Sequence, residues 1–270
     1  MIKNILTIDV EDMCHSRFDA DLRDDVGIDE ALIRDSVDML LDMLDKYDYK
    51  ATFFVLGIIA EKMPEVIRKI SGKKHEIASH GYRHRSVYSL SPEEFRDDLL
   101  RSIKVLEDIS ASRVLGYRAP YWSITDKSLW AMDIIKECGL LYDSSISPAI
   151  TFLYGIKKVR RDIHIFKNGL WEIPPTTINI LGKVVIIGGG FYLRTFPYWF
   201  TKNCIRRLNN RAVPAIIYLH PHEVLNSPYN EKLSYKENLV LNFNKKTFCL
   251  KFMNLLSEFK FSTIKEIIGL

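Results

Sequence analysis

Asp9, Glu11 and Asp12 place three carboxylates within four positions, with apolar Val10 between the first two. On an extended strand Asp9 and Glu11 project to one side. Carboxylates that close repel one another, and a bound cation relieves the repulsion. His80 and His84 stand four residues apart in Ser79-His80-Gly81-Tyr82-Arg83-His84. On a helical turn the two imidazoles would share a face, about 5–6 Å apart at Cβ and suited to one metal. Two histidines and a carboxylate leave a coordination position open, the pattern of a hydrolytic rather than a structural metal. Two further segments carry titratable groups, Arg118-Ala119-Pro120-Tyr121 and Leu219-His220-Pro221-His222-Glu223. An arginine there can hold a carboxylate bidentately. Each cluster alone has a plainer reading as a solvated acidic turn, an incidental histidine or a surface ion pair.

The elements that must position these residues are short β-branched or aromatic runs alternating with amphipathic segments, the pattern of a parallel sheet with crossover helices. Strands are expected at Ile5–Asp9, Thr52–Val55, Glu76–Ser79, Val114–Arg118, Leu141–Asp143, Trp171–Ile173 and Ala215–Leu219. Asp29–Tyr47 is apolar at Leu32, Ile33, Val37, Leu40, Leu41 and Leu44, which predicts a helix with one buried face. Ser91-Pro92-Glu93-Glu94 supplies an N-cap, a first-turn proline and an acid at the third position, so a helix runs from there to about Ile109. Thr125–Glu137 is expected to be helical, with Gly139 at its C-terminal cap. Further helices are expected around Ile59–Ile70, Pro197–Asn209 and Lys246–Phe259. Seven such β/α pairs suit a barrel or an open doubly wound sheet, and both bind ligands at the C-terminal strand ends. All four polar clusters follow expected strands. Gly188-Gly189-Gly190 lacks a following Gly-Lys-Ser/Thr and any dinucleotide fingerprint, and reads as a flexible loop near the site.

At 270 residues, with roughly 150 expected per domain, and with no repeat or linker, the chain reads as one domain over residues 1–270. It is 47% hydrophobic and 27% charged, an ordinary globular composition. Thirty-eight basic against 34 acidic residues give +4, with the signs interspersed. That argues against a nucleic-acid partner and leaves room for peripheral contact with an anionic membrane. The longest uncharged stretch, Ser144–Ile156, is 13 residues long, too short to span a bilayer. Ile5–Ile8 is too short for a signal peptide's apolar region, so the cytoplasm is the expected compartment. Cys14, Cys138, Cys204 and Cys249 lie far apart and read as reduced thiols.

The sequence resembles the polysaccharide deacetylases of carbohydrate esterase family four, in the subgroup opening with Ile8-Asp9-Val10-Glu11-Asp12. The similarity continues through Ala51-Thr52-Phe53-Phe54-Val55, Ser79–His84, Gly116-Tyr117-Arg118-Ala119-Pro120 and Tyr142-Asp143-Ser144-Ser145. It ends with Trp171-Glu172-Ile173-Pro174, Gly188–Tyr192 and Tyr218-Leu219-His220-Pro221. The resemblance implies a distorted (β/α)7 barrel and a metal-dependent hydrolase that removes acetyl groups from N-acetylated sugars. It implies Asp9 as catalytic base, His80 and His84 as metal ligands, His220 as general acid and Arg118 as the arginine that orients the base. The backbone N–H of Tyr121 would help stabilise the oxyanion.

Many members have adjacent aspartates in the first motif, whereas Val10-Glu11 intervenes here. Either Glu11 or Asp12 could be the third metal ligand; strand parity favours Glu11, with Asp12 as the alternative. Asp143 is a candidate for supporting the general acid. Trp122, Trp171 and Tyr192 are candidates for stacking on a sugar. The expected cofactor is one divalent ion, zinc by expectation, and the expected partner an N-acetylated sugar or glycan. A cytoplasmic deacetylase would meet nucleotide-linked or lipid-linked sugars during O-antigen or capsule assembly. Two rivals are a catalytically silent carbohydrate-binding member of the fold and a metal-dependent amidase acting on a small non-sugar amide. Asp9, His80, His84 and His220 are all present, which disfavours the silent reading.

Overall fold

Ile5, Leu6, Ile8 and Val10 are all fully buried, and so are the polar Asn4 before them and Thr7 among them. A near-continuous buried run of this kind marks a parallel strand covered on both faces. The computed structural model describes residues 2–15, 27–151, 154–225 and 233–270. The first strand is β1 (Lys3–Val10), followed by β2 (Thr52–Val55), β3 (Glu76–Ser79), β4 (Gly116–Tyr117), β5 (Tyr142–Asp143), β6 (His164–Ile165) and β7 (Trp171–Glu172). Then come β8 (Thr177–Ile180), β9 (Lys183–Ile186), β10 (Ile216–Leu219) and β11 (Lys260–Ser262). The chain divides into two compact units, Met1–Ala51 with Ile187–Leu270, and Thr52–Ile186.

In the first unit β1 pairs in parallel with β10, Ile5 opposite Ile216 through Ile8 opposite Leu219, and in parallel with β11. The helix Glu30–Asp45 buries Ile33, Val37, Leu40, Leu41 and Leu44, and the Asp29 side chain caps it by accepting from Leu32 N–H. Gly188-Gly189-Gly190 is ordered, contrary to the flexible loop expected. Tyr218 N–H bonds to the Gly188 carbonyl at 2.8 Å, and Gly189 bridges Tyr218 in parallel. A Cβ on Gly188 would overlap the Ile216 carbonyl, one on Gly189 the Tyr218 ring, and one on Gly190 the Glu223 carboxylate. The glycines serve close approach rather than mobility.

In the second unit β2, β3, β4, β5 and β7 pair successively in parallel, with β6 antiparallel on β7. The helix Pro92–Ser110 starts at the expected box, Ser91 and Glu94 each accepting from the other's amide. The helix expected over Ile59–Ile70 is two, Gly57–Lys62 and Pro64–Gly72. Pro64 has no N–H to continue the first, and Met63 turns out of the helical region. The helix expected from Thr125 begins at Ala131. Ser128 is why: its Oγ accepts from Thr125 N–H and donates to the Ser123 carbonyl, local bonds that compete with a helical turn. Gly139 takes φ +86° after that helix, as expected of its cap. Among the described residues no helix is long and apolar enough to cross a membrane; residues 152 and 153 of the uncharged stretch lie outside them.

Candidate active site

The register of the first unit places Asp9 and His220 next along after the Ile8–Leu219 pair, at one end of two adjacent strands. Past Val10 the chain turns at once, Glu11 N–H bonding to the Asp9 carbonyl at 3.0 Å. Glu11 and Asp12, both buried, then part company. Asp12 Oδ1 accepts from Cys14 N–H at 2.9 Å and Oδ2 from Asp29 N–H at 2.8 Å. Glu11 Oε1 lies 3.5 Å from His220 Nε2.

On its other side His220 faces a carboxylate that the sequence reading passed over. Glu223 Oε2 accepts from His220 N–H at 3.1 Å and lies 3.5 Å from His220 Nδ1. Burial pushes the His220 imidazole down, but Glu11, Glu223 and Asp9 outweigh it and raise it to about 9. Burial pushes Glu223 up, and the bond from His220 and the charge of Arg194 bring it down to about 2, so it stays ionised. His222 stacks on His220 with ring centroids 5.3 Å apart, and burial, with the His220 charge, pushes it down to about 3. The neighbouring imidazoles are thus set apart, one protonated and one neutral. Tyr192 is half-buried on the helix Gly190–Thr195 and stacks on Phe196.

In the second unit His80 follows β3 and Arg118 follows β4 in parallel register, Arg118 N–H bonding to the Ser79 carbonyl at 2.9 Å. His80 Nδ1 lies 2.8 Å from the Arg118 carbonyl oxygen. A carbonyl only accepts, so Nδ1 carries a proton and donates it, and Nε2 is the nitrogen turned away from that bond. The His80 and His84 rings are 5.2 Å apart between centroids. The segment between them is not the helical turn that would pair i and i+4, since Gly81 and His84 both take positive φ. Asp98, to which no motif in the sequence pointed, ties this loop down by accepting from Tyr82 N–H at 2.7 Å and Arg83 N–H at 3.3 Å.

His84 meets the Tyr121 ring edge-on at 4.6 Å. Tyr121 and Trp122 sit in succession at φ +55° and +54°. For non-glycine residues this costs of order 1–3 kcal/mol each and persists only where surroundings enforce it. They do here. Asp143 Oδ1 accepts from Ser145 Oγ at 2.6 Å, and that hydroxyl accepts from Ala119 N–H at 2.8 Å. Asp143 therefore supports the Ala119–Tyr121 loop, and the carboxylate on the Nδ1 side of His220 is Glu223. Arg118, fully buried, donates to the Ser144 carbonyl at 3.3 Å and Oγ at 2.9 Å, its guanidinium over the Phe54 and Trp122 rings. Trp122 is buried and Trp171, on β7, is half-buried.

Residues 19–142 match the family model "Polysaccharide deacetylase", and residues 144–269 match a "Domain of unknown function (DUF3473)". Over its full length the chain is similar to a crystal structure from Mycobacterium smegmatis provisionally named a polysaccharide deacetylase, covering 90% of that chain at TM-score 0.62 and 20% identity. That likeness shows the fold, mixed α/β as expected. In sequence the chain is 32% identical over 95 residues to a peptidoglycan-N-acetylglucosamine deacetylase of Bacillus cereus, 35% of this chain and 34% of the relative. It is 29% identical over 97 residues to a chitooligosaccharide deacetylase of a Bradyrhizobium strain, 36% of this chain and 42% of the relative. The chain thus spans about a third to two fifths of the curated relatives it matches. The likeness to the polysaccharide deacetylase model thus covers residues 19–142, and each of the two curated relatives matches about a third of the chain.

Proposed function

We propose that this protein is a metal-dependent hydrolase that removes N-acetyl groups from an amino sugar or glycan, in the subgroup marked by Ile8-Asp9-Val10-Glu11-Asp12. The observation that carries the reading is the orientation of His80, whose Nδ1 is held by the Arg118 carbonyl so that Nε2 is the nitrogen left to serve as a ligand, beside a second buried imidazole with ring centroids 5.2 Å apart. A backbone carbonyl behind a histidine is the usual outer partner of a metal ligand. His80 and His84, both buried, would supply two nitrogens, and Glu11 is the carboxylate proposed to complete a set that suits a divalent ion, with zinc the metal expected. Bound there, a metal supplies Lewis acidity towards the acetyl carbonyl and a lowered pKa for water.

The chain's own groups supply the proton transfers. Asp9 takes the proton of the attacking water. The Tyr121 amide, held by the strained turn, donates to the oxygen that becomes negative. His220, kept cationic by its carboxylate neighbours, gives a proton to the departing nitrogen, because an unprotonated amine anion is a very poor leaving group. Arg118 orients Asp9, and Trp122, Trp171 and Tyr192 contribute apolar surface to the sugar. Named relatives acting on peptidoglycan and chitooligosaccharide support a glycan substrate. Nucleotide-linked or lipid-linked sugars of O-antigen or capsule assembly, met in the cytoplasm or against the membrane, are the proposed source.

Acetate release from a panel of N-acetyl sugars, with elemental analysis of the purified protein, tests the reading. One divalent ion per chain is expected, with most of it lost in His80→Ala and in His84→Ala. Full metal content in both variants, or no acetate from any N-acetyl sugar, overturns it.

A further inference from the structure

Arg194 is 2% exposed, deeper than its chemistry explains if it served only as a surface cation. Its Nε donates to Glu223 Oε1 at 3.2 Å. Nη2 donates to the Val240 carbonyl at 2.8 Å, and Nη1 to those of Leu241 and Phe243 at 3.3 and 2.8 Å. These carbonyls close the helix Tyr235–Asn242, whose last acceptors have no partner within the helix. The backbone of Arg194 is itself pinned. Lys251 Nζ donates to the carbonyls of Leu193, Arg194 and Phe196 at 2.8–3.0 Å, and Asn244 Nδ2 donates to that of Arg194 at 2.8 Å. Gly190, one turn earlier, leaves the space that the Glu223 carboxylate fills.

Arg194 thus holds Glu223 by Oε1, and the other oxygen, Oε2, faces His220. We propose that Arg194 is a positioning residue for proton donation by His220, acting through Glu223, and that it makes this setting depend on the docking of the helix Tyr235–Asn242. The inference rests on the reading of His220 as general acid. Arg194 touches no reacting atom. Its guanidinium fixes one carboxylate oxygen so that the other can hold the Nδ1 side of the imidazole, leaving Nε2–H to be delivered to the leaving nitrogen. A lysine in its place keeps the charge but cannot span a carboxylate and three carbonyls at once.

The test compares two leaving groups. An N-acetyl sugar must have its nitrogen protonated as the C–N bond breaks, whereas an aryl acetate ester releases a stable phenolate without a proton. His220→Ala, Arg194→Lys and Glu223→Gln are assayed on both, with circular dichroism and metal content measured on each. Arg194→Lys and Glu223→Gln are expected to lose about tenfold or more in kcat on the amide, a fraction of what losing a general acid costs, with KM little changed and ester turnover falling far less. Parallel losses on amide and ester overturn the proposal, as does an undiminished amide rate in either variant while His220→Ala loses the amide selectively. An absence of selective loss in His220→Ala overturns the general-acid reading itself. If Arg194→Lys does not fold, the nearly isosteric Glu223→Gln decides the matter.

Discussion

Asp12 Oδ2 accepts a hydrogen bond from the backbone N–H of Asp29, seventeen residues further on, at 2.8 Å. Its other oxygen takes the Cys14 amide. Both oxygens therefore tie backbone, one to the turn after β1 and one to the residue that caps the helix Glu30–Asp45. That separates it from Glu11, which faces His220. Glu11→Gln is expected to weaken metal affinity far more than Asp12→Asn. Asp12→Asn is expected to cost stability instead, about 1–3 kcal/mol for a buried backbone donor left with a poorer acceptor. Metal titration and denaturant unfolding of the two variants check this, and the opposite ranking in the titration transfers the ligand role to Asp12.

Asp9 and His220 are expected to divide the proton work. Neither is needed to hold the metal, so Asp9→Asn and His220→Ala should retain it and lose about 10²-fold or more in turnover. The pH profile separates them. His220 acts as an acid while protonated, so activity falls as pH rises through its pKa, above the ordinary 6.5 and up to about 9. With Glu11 engaged by a metal, Glu223 and Asp9 are left to hold it up, and the alkaline limb should fall between those values. His220→Ala should flatten that limb, whereas near-normal acetate release from Asp9→Asn removes it from the role of base.

Much of this is legible in the sequence. β1 and β10 announce themselves as apolar runs, β2 and β3 fall on their expected residues, and the acids and histidines follow strand ends as ligand-binding groups in parallel sheets should. What stayed hidden has physical reasons. The hairpin of β8 and β9 turns on Leu181 and Gly182, both at positive φ; leucine stands where such turns prefer asparagine, so no turn signal showed. The three glycines resembled a loop because close approach to Ile216, Tyr218 and Glu223 is a tertiary fact. Glu223 stood in plain view three residues after His220, yet spacing alone does not distinguish it from Asp143. What separates them is tertiary: Ser145 engages Asp143, and Arg194 seats Glu223.

Glu172 offers a prediction about stability rather than chemistry. It is fully buried, Oε1 accepts from Ile146 N–H at 3.1 Å, and no donor among the described residues faces Oε2. Burial first, and then the charge of Asp143 beside it, push its pKa well above the usual carboxylate range. A protonated Glu172 resolves the orphaned oxygen, because its O–H then donates to Asp143. The sign follows. A carboxyl whose folded pKa lies above its unfolded value of about 4.3 stabilises the fold at low pH. That contribution is lost as pH rises from there towards the folded value. Glu172→Gln carries a permanent N–H donor of nearly the same shape, so the loss should vanish. The variant's Tm is expected to gain on wild type between pH 5 and pH 8 in paired thermal melts. A gap constant across that range, or one widening in favour of wild type, means that Glu172 is ionised in the folded protein and that Asp143 holds the Ala119–Tyr121 loop without its help.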